Sequence, residues 1–370
     1  MIKLIRISAI AKKELIQIRR DFLSLAMAFA MPVLLLVIFG YAITFDITNI
    51  DTVIVDQDRS SLSREFTSRL AASGYFTITA HVDRYNDIDY YLDSGRAKVA
   101  VMIPGDFSRN IRTGRTAEVG AIVDGSDSNT AAIALSYVSA MTEQFSQSLA
   151  NVRIVPLVET RSRVWYNPDL KSRNFIIPGL IAVIMSVIAA LLTSLTVARE
   201  WERGTMEQLV STPIKTPELI IGKLLPYLLI GFIDTVIAIS MAVYLFDVPL
   251  KGSVVLLMAM SGLFLFGALC WGILISIAAR TQLLASQIAL ISSFLPAFLL
   301  SGFMFSIWNI PKPLQIVTYI VPARYFVFIL KGIFLKGSSL GLISLQAALL
   351  TLYGAIVFTV ANRKFRKKVA

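Results

Sequence analysis

Five stretches of this 370-residue sequence run for 24 to 27 residues without a charged side chain: 22–45, 175–198, 253–279, 282–308 and 338–361. A run of that length covers the ~30 Å hydrocarbon core of a bilayer as a helix. There the backbone has no water to bond, so a crossing chain must satisfy its own N–H and C=O groups within helices or a closed barrel. A sixth stretch, 219–246, is as apolar but carries Lys223 and Asp234. The whole chain is 56% hydrophobic and 16% charged, with mean hydropathy +0.70. Soluble domains average roughly 45–50% apolar and about 25% charged. These features predict a polytopic α-helical membrane protein with six transmembrane helices. The first run is too long for a signal-peptide core and lacks a small-residue cleavage site, so it reads as a retained span.

Charge then orients the spans. The net charge is +11, yet residues 46–174 hold 14 basic and 16 acidic side chains, leaving 21 basic and 8 acidic for the rest. The basic excess flanks the apolar runs, which points to membrane topology and anionic head groups rather than nucleic acid. Residues 1–20 carry six basic groups and one acid; the tail 362–370 carries five and none. Both ends belong on the cytoplasmic side, which requires an even number of crossings. Residues 1–20 also read as a basic amphipathic helix, with Leu4, Ile7, Ala11, Leu15 and Ile18 forming a stripe for the membrane interface. An ordinary positive flank would look similar. Segment 309–337 fits less well, being apolar but broken by Pro311, Pro313 and Pro322 and dotted with Arg324, Lys331 and Lys336. It is expected as an outer re-entrant or interfacial hairpin, although its cations run against the topology rule.

Residues 46–174, between the first two spans, form one polar insertion of domain size. Strands are expected at 52–56, 75–79, 98–103 and 118–123, with an amphipathic helix at 62–72 and a largely helical 129–158. The alternation predicts an α/β extracytoplasmic domain. Asp83, Asp87, Asp89 and Asp93 lack the glycine and glutamate spacing of a calcium loop and read as a solvated helix face. Cys270 and His81 are single, which excludes an intrachain disulfide and clustered Cys or His metal sites. Neither a G-x-x-x-x-G-K-[ST] phosphate loop nor a Gly-x-Ser-x-Gly elbow occurs. The chain offers no enzyme site of its own.

The densest charge among the apolar runs lies at 197–227, VAREWERGTMEQLVSTPIKTPELIIGKLLPY. Its core predicts a short helix over 199–210, stopped by Ser211-Thr212-Pro213. Thr216 as N-cap and Pro217 in first position would restart a helix. Helix–break–helix between two spans suits a lever held against a partner outside the bilayer; a solvated connecting loop would carry similar charges. Asp234 is the one acid well inside a span. Such a carboxyl either lines a substrate path or packs protonated or hydrogen-bonded against a neighbouring helix.

The pattern Arg199-Glu-x-Glu-Arg-Gly-Thr-x-Glu-x-Leu-x-x-Thr-Pro213, then Pro217-Glu218 and Gly222-Lys223-x-x-Pro226-Tyr227, resembles the cytoplasmic loop of ABC-2-type permeases. Val55-Asp-Gln-Asp-Arg-Ser-Ser-Leu-Ser63, Ile103-Pro-Gly-Asp-Phe-Ser108 and Pro322-Ala-Arg-Tyr325 resemble other parts of the same family in the expected order. The closest subgroup resembled is the bacterial multidrug-efflux type with a large periplasmic domain. The resemblance implies a type V ABC exporter-like fold. It implies a connecting helix at 1–20, a coupling loop at 199–218, and spans at 22–45, 175–198, 219–246, 253–279, 282–308 and 338–361. It places Arg199, Glu200, Glu202, Arg203, Gly204, Thr205, Glu207, Thr212 and Pro213 at the coupling element, with Glu200, Glu202, Arg203 and Glu207 making the charged contacts. Two copies of a separate ABC ATPase would bind ATP and magnesium, so this chain would hold no cofactor. A second permease subunit, identical or related, would complete the pore in a bacterial inner membrane, and a periplasmic adaptor could meet the outer domain. Hydrophobic or amphipathic drugs are the implied cargo, with lipid or lipid-linked polymer as the alternative. A receptor or scaffold without transport, or a proton-driven carrier working through Asp234, remain competing readings.

Overall fold

The computed structural model describes residues 3–42, 49–85, 87–126, 128–149, 166–167 and 171–365. Two compact units emerge, one of residues 1–44 and 163–370 and the other of residues 45–162.

The chain opens with α1, Leu4–Arg20, followed by α2 (Phe22–Leu25), a π-helical turn at Ala26–Ala30, and α3 (Met31–Ala42). The end of the first predicted span, 43–45, lies outside the described residues. The side of α1 that is buried carries Ile7, Ile10, Glu14 and Ile18, while Leu4 and Leu15 are exposed. Of the predicted stripe, Ile7 and Ile18 pack inside while Leu4 and Leu15 stay exposed. The helix turns Ile10 and Glu14 inward because polar partners wait for Glu14, described below.

The second unit holds β1 (Ile50–Asp56), α4 (Ser61–Ala72), β2 (Phe76–Val82), α5 (Asp87–Asp93), β3 (Val99–Ile103), α6 (Phe107–Arg112), β4 (Gly120–Val123) and α7 (Ser128–Leu149). The remainder of the helix expected to 158 lies outside the described residues. The sheet order is β2-β1-β3-β4; β1 runs parallel to β2 and β3, and β4 is antiparallel to β3. Period-two alternation builds both faces. Ile50 and Ile54 join Phe66, Leu70, Phe107 and Phe145 in one cluster, whereas Val53 and Val55 join Ile88 and Ala100 in another. The D-Q-D-R-S turn has a local cause: Asp56 accepts from the backbone N–H of Asp58 (3.1 Å) and Arg59 (2.9 Å) and from Ser63 Oγ (2.7 Å). Asp58 in turn accepts from Ser108 Oγ at 2.8 Å, so two of the motifs that carried the resemblance meet in space. On α5, only Ile88 is buried, and no group of three or more His, Cys, Asp or Glu among the described residues could hold a metal ion.

The first unit resumes with α8, Ser172–Glu202, whose residues are buried on nearly every side. It is followed by α9 (Met206–Ser211), α10 (Thr216–Ser240, extended by a π turn to Leu245), α11 (Val254–Ala279) and α12 (Gln282–Leu300). Small residues let α8 and α11 approach: a Cβ on Gly272 would collide with Thr193 and the Ala190 carbonyl. Ser276 Oγ accepts from the N–H groups of Val197 and Ala198, each at 2.9 Å. The expected span 282–308 stops at Leu300, because Ser301-Gly302 breaks it with Gly302 at φ +80°. Next come α13 (Lys312–Thr318) and α14 (Pro322–Lys331, then a π turn to Lys336), bent from one another by 82°. Helix α15, Leu340–Lys364, ends the described chain. Among the described residues five helices are long and apolar enough to cross a membrane, or six if the bent pair counts as one span; Ala26–Ala42 is a shorter apolar helix.

Candidate coupling site

Helix α8 runs unbroken through Arg199, Glu200 and Glu202, so the helix expected over 199–210 is corrected. Arg203 N and Gly204 N fold back to the Arg199 (3.1 Å) and Trp201 (3.2 Å) carbonyls, and Gly204 adopts φ +67°. That left-handed residue is a helix stop that glycine meets without a Cβ penalty. Only the six residues of α9 form a separate helix before the Thr212-Pro213 turn. Lys215, not Thr216, caps α10, with Glu218 reaching back to its N–H at 2.9 Å.

Glu218 does more than cap its own helix. Its other oxygen accepts from Lys3 N at 2.8 Å, at the start of α1, and Arg6 reaches the first oxygen at 3.4 Å. One buried carboxylate thus satisfies N-terminal donors of two helices, where the helix dipoles favour negative charge. Arg6 also donates to the Pro213 carbonyl, which pins the break before α10.

Deeper in, Lys223 on α10 pairs with Glu14 on α1 at 2.5 Å and with Glu200 on α8 at 3.5 Å. All three are buried. Glu200 also accepts from Lys13 and from Thr205, which follows the glycine turn. An isolated charge in such a place would cost several kcal/mol, so each ion here needs the others. Beside this cluster Arg199 pairs with Asp21 at 3.0 Å and donates to Gln282 Oε1 at 3.2 Å. Glu202 accepts from the Gln282 backbone N–H (2.8 Å) and from its amide, anchoring the start of α12. Arg280, itself at φ +58°, lies 5.5 Å from the Trp201 ring. Under the loop, Met206 packs with Ile10, Val197, Leu219 and Phe365. Helices α1 and α10 cross at Gly222, where a Cβ would stand 2.7 Å from Ile10 Cβ.

The sequence-predicted residues therefore divide. Arg199 and Glu200 are buried and join helices, and Thr205, half-buried, donates to Glu200; Glu202 is exposed and bonds Gln282; Pro213 accepts from Arg6, and Thr212 is half-buried. Glu200 has its charge taken up by Lys13 and Lys223. Arg203, Gly204 and Glu207 remain exposed. Sequence reasoning missed Glu14, Lys223 and Glu218 as members of the site. The available signals were a lone acid on an otherwise apolar stripe and a lone cation inside an apolar run.

Asp234 lies apart, one helical face along α10, in an apolar crevice with Leu36 of α3, Met185 and Ile188 of α8, Tyr227, and Leu265 of α11. It is buried, and its Oδ1 has no hydrogen-bond partner among the described residues.

A bundle of apolar helices whose N-terminal helix, exposed loop and span ends are bound into one charged junction is consistent with a polytopic membrane protein. The pattern of the family described as ABC-2 family transporter protein matches residues 22–362, and the chain belongs to that family. It is 40% identical to "Probable multidrug ABC transporter permease YbhS" of Escherichia coli (strain K12), over 90% of this chain and 89% of the relative. "Probable multidrug ABC transporter permease YbhR" of the same organism is 34% identical over 98% and 99%. "ABC transporter G family member 20" of Dictyostelium discoideum is 22% identical, over 95% of this chain and 49% of that protein. The chain is a transporter permease, a membrane component rather than an enzyme.

Proposed function

We propose that this permease exports hydrophobic or amphipathic compounds, drugs among them, driven by separate ABC ATPase subunits that bind ATP and magnesium. The observation that carries the reading is the junction: an exposed turn and α9, bearing Arg203 and Glu207, stand on three helices joined by buried ion pairs. A displacement of α9 would reach α8 through Thr205–Glu200 and α10 through Glu200–Lys223, because packed, paired elements move as bodies. ATP binding by the partner would bias the spans between inward and outward arrangements by its different affinity for the two. The 40% and 34% identical relatives are named as probable multidrug permeases, which supports drug-like cargo.

In this reading six spans put both termini and α9 in the cytoplasm of an inner membrane, with residues 46–174 outside. Two permease subunits and two ATPase subunits form the working assembly, and an adaptor could engage the outer domain. Asp234 lines the substrate path: an unpartnered buried carboxyl in an apolar crevice is costly to keep for packing alone. The test is efflux of a fluorescent lipophilic dye from cells expressing the permease with its ATPase. Asp234→Asn should insert and co-purify normally yet lose most efflux. Unchanged efflux would remove Asp234 from the path.

A further inference from the structure

The cations of the 309–337 segment have no role in the coupling junction. From Phe175 to Glu200, α8 rises about 38 Å, more than the hydrocarbon core, so its first turn sits at the opposite membrane surface from that junction. There, between α8, the Gly302 turn, α13, α14 and α15, lies a cavity of about 590 Å³. Its charged lining is Arg324 and Lys331; no Asp or Glu lines it. Among the described residues no carboxylate comes within ion-pair reach of either cation. Lys331 donates to the Gly302 carbonyl at 3.0 Å and lies 3.2 Å from the Phe175 ring centroid. Arg324 stacks 4.0 Å from the Tyr319 ring and donates to Thr318. These contacts hold the side chains in place but leave both charges without a counterion.

A third wall residue supplies the opposite need. Gln346 on α15 has its amide oxygen buried with no hydrogen-bond partner among the described residues. The cavity wall thus offers two cations to an anion and one acceptor to a hydroxyl. Trp308, Phe328 and Leu345, which also line the cavity, are exposed by 88%, 51% and 66%, an apolar rim at the level of the membrane interface.

We propose that this cavity binds an acidic phospholipid with a hydroxylated head group. The phosphate diester is recognised by Arg324 and Lys331, a head-group hydroxyl donates to Gln346, and the acyl chains run over Trp308, Phe328 and Leu345. The bound anion also accounts for cations that the charge rule disfavours on this side. The site does not depend on the identity of the exported compound.

The test is native mass spectrometry of the full-length permease in detergent, titrated with phosphatidylglycerol, phosphatidylethanolamine or phosphatidylmethanol. Inorganic phosphate and glycerol 1-phosphate serve as soluble competitors. Wild type should hold phosphatidylglycerol at least roughly tenfold more tightly than phosphatidylethanolamine, whose phosphate diester is the same but whose ammonium is repelled by two cations without a counterion. Arg324→Gln/Lys331→Gln should bring the two lipids level, and the charge-retaining Lys331→Arg should keep the preference. Gln346→Leu, which leaves both cations, should erase the advantage of phosphatidylglycerol over phosphatidylmethanol. An undiminished preference in a monodisperse double-Gln variant would overturn the site. Displacement of the lipid by millimolar phosphate alone would overturn it as a lipid site, leaving one for free anions. Should the double-Gln variant fail to fold, an unchanged advantage of phosphatidylglycerol over phosphatidylmethanol in Gln346→Leu overturns the assignment on its own.

Discussion

Lys223 is the residue on which the coupling junction depends, since it faces carboxylates from two other helices and has almost no access to water. Replacing it with methionine leaves Glu14 and Glu200 buried together, with only Lys13, itself half-exposed, to balance them. Breaking a buried pair from one side costs roughly 3–5 kcal/mol. Thermal unfolding in detergent should show Lys223→Met far less stable than wild type, with Glu14→Gln in the same chain restoring part of the loss. A melting temperature within error of wild type would mean that the ions are hydrated after all. In the α/β unit Lys98 donates to Asp124 at 2.6 Å, and that bond, helped by Ser126, holds the Asp124 carboxyl well below the usual carboxylate range. A depressed pKa contributes stability above the unfolded value near 4 and loses it as pH falls towards the folded value. The stability gap between wild type and Asp124→Asn should therefore be full above about pH 4 and close below it. A gap that widens on acidification would contradict the assignment.

At the scale of elements, α1 is the helix whose role changes most between sequence and structure. Its basic amphipathic pattern suits a membrane surface, but the side that packs is Ile7, Ile10, Glu14 and Ile18, against α10. Hydrophobic periodicity alone located the helix and not its buried face, because an acid with a distant cation is invisible until tertiary structure brings the two together. The same limit explains Glu200. Within a charged loop it looks like a docking residue, while its partners come from positions 13 and 223. The apolar runs, by contrast, were legible: lack of charge over 24 residues leaves little else for such a segment to do. The prolines of 309–337 made a re-entrant or interfacial hairpin legible, but not the 82° angle between its two helices. Gly222 gives the α1–α10 crossing a direct test. Gly222→Val must push Ile10 away, so limited proteolysis should release residues 1–20 faster than from wild type. Equal cleavage would show that α1 holds by its ion pairs alone.

At the scale of the molecule, the chain divides into a unit of packed apolar helices and an α/β unit of its own. In the proposed function energy enters from separate ATPase subunits, and the exposed Arg203–Glu207 turn offers them charged side chains. The most direct measurement is affinity co-purification of the tagged permease with its ABC ATPase from detergent-solubilised membranes, with ATP hydrolysis assayed on the eluate. Wild type should bring down an active ATPase. Arg203→Glu/Glu207→Lys should insert and melt like wild type yet lose the ATPase. An ATPase retained in full by that variant, or absent from wild type, would contradict a coupling site at this turn; absence from wild type would favour a receptor or scaffold.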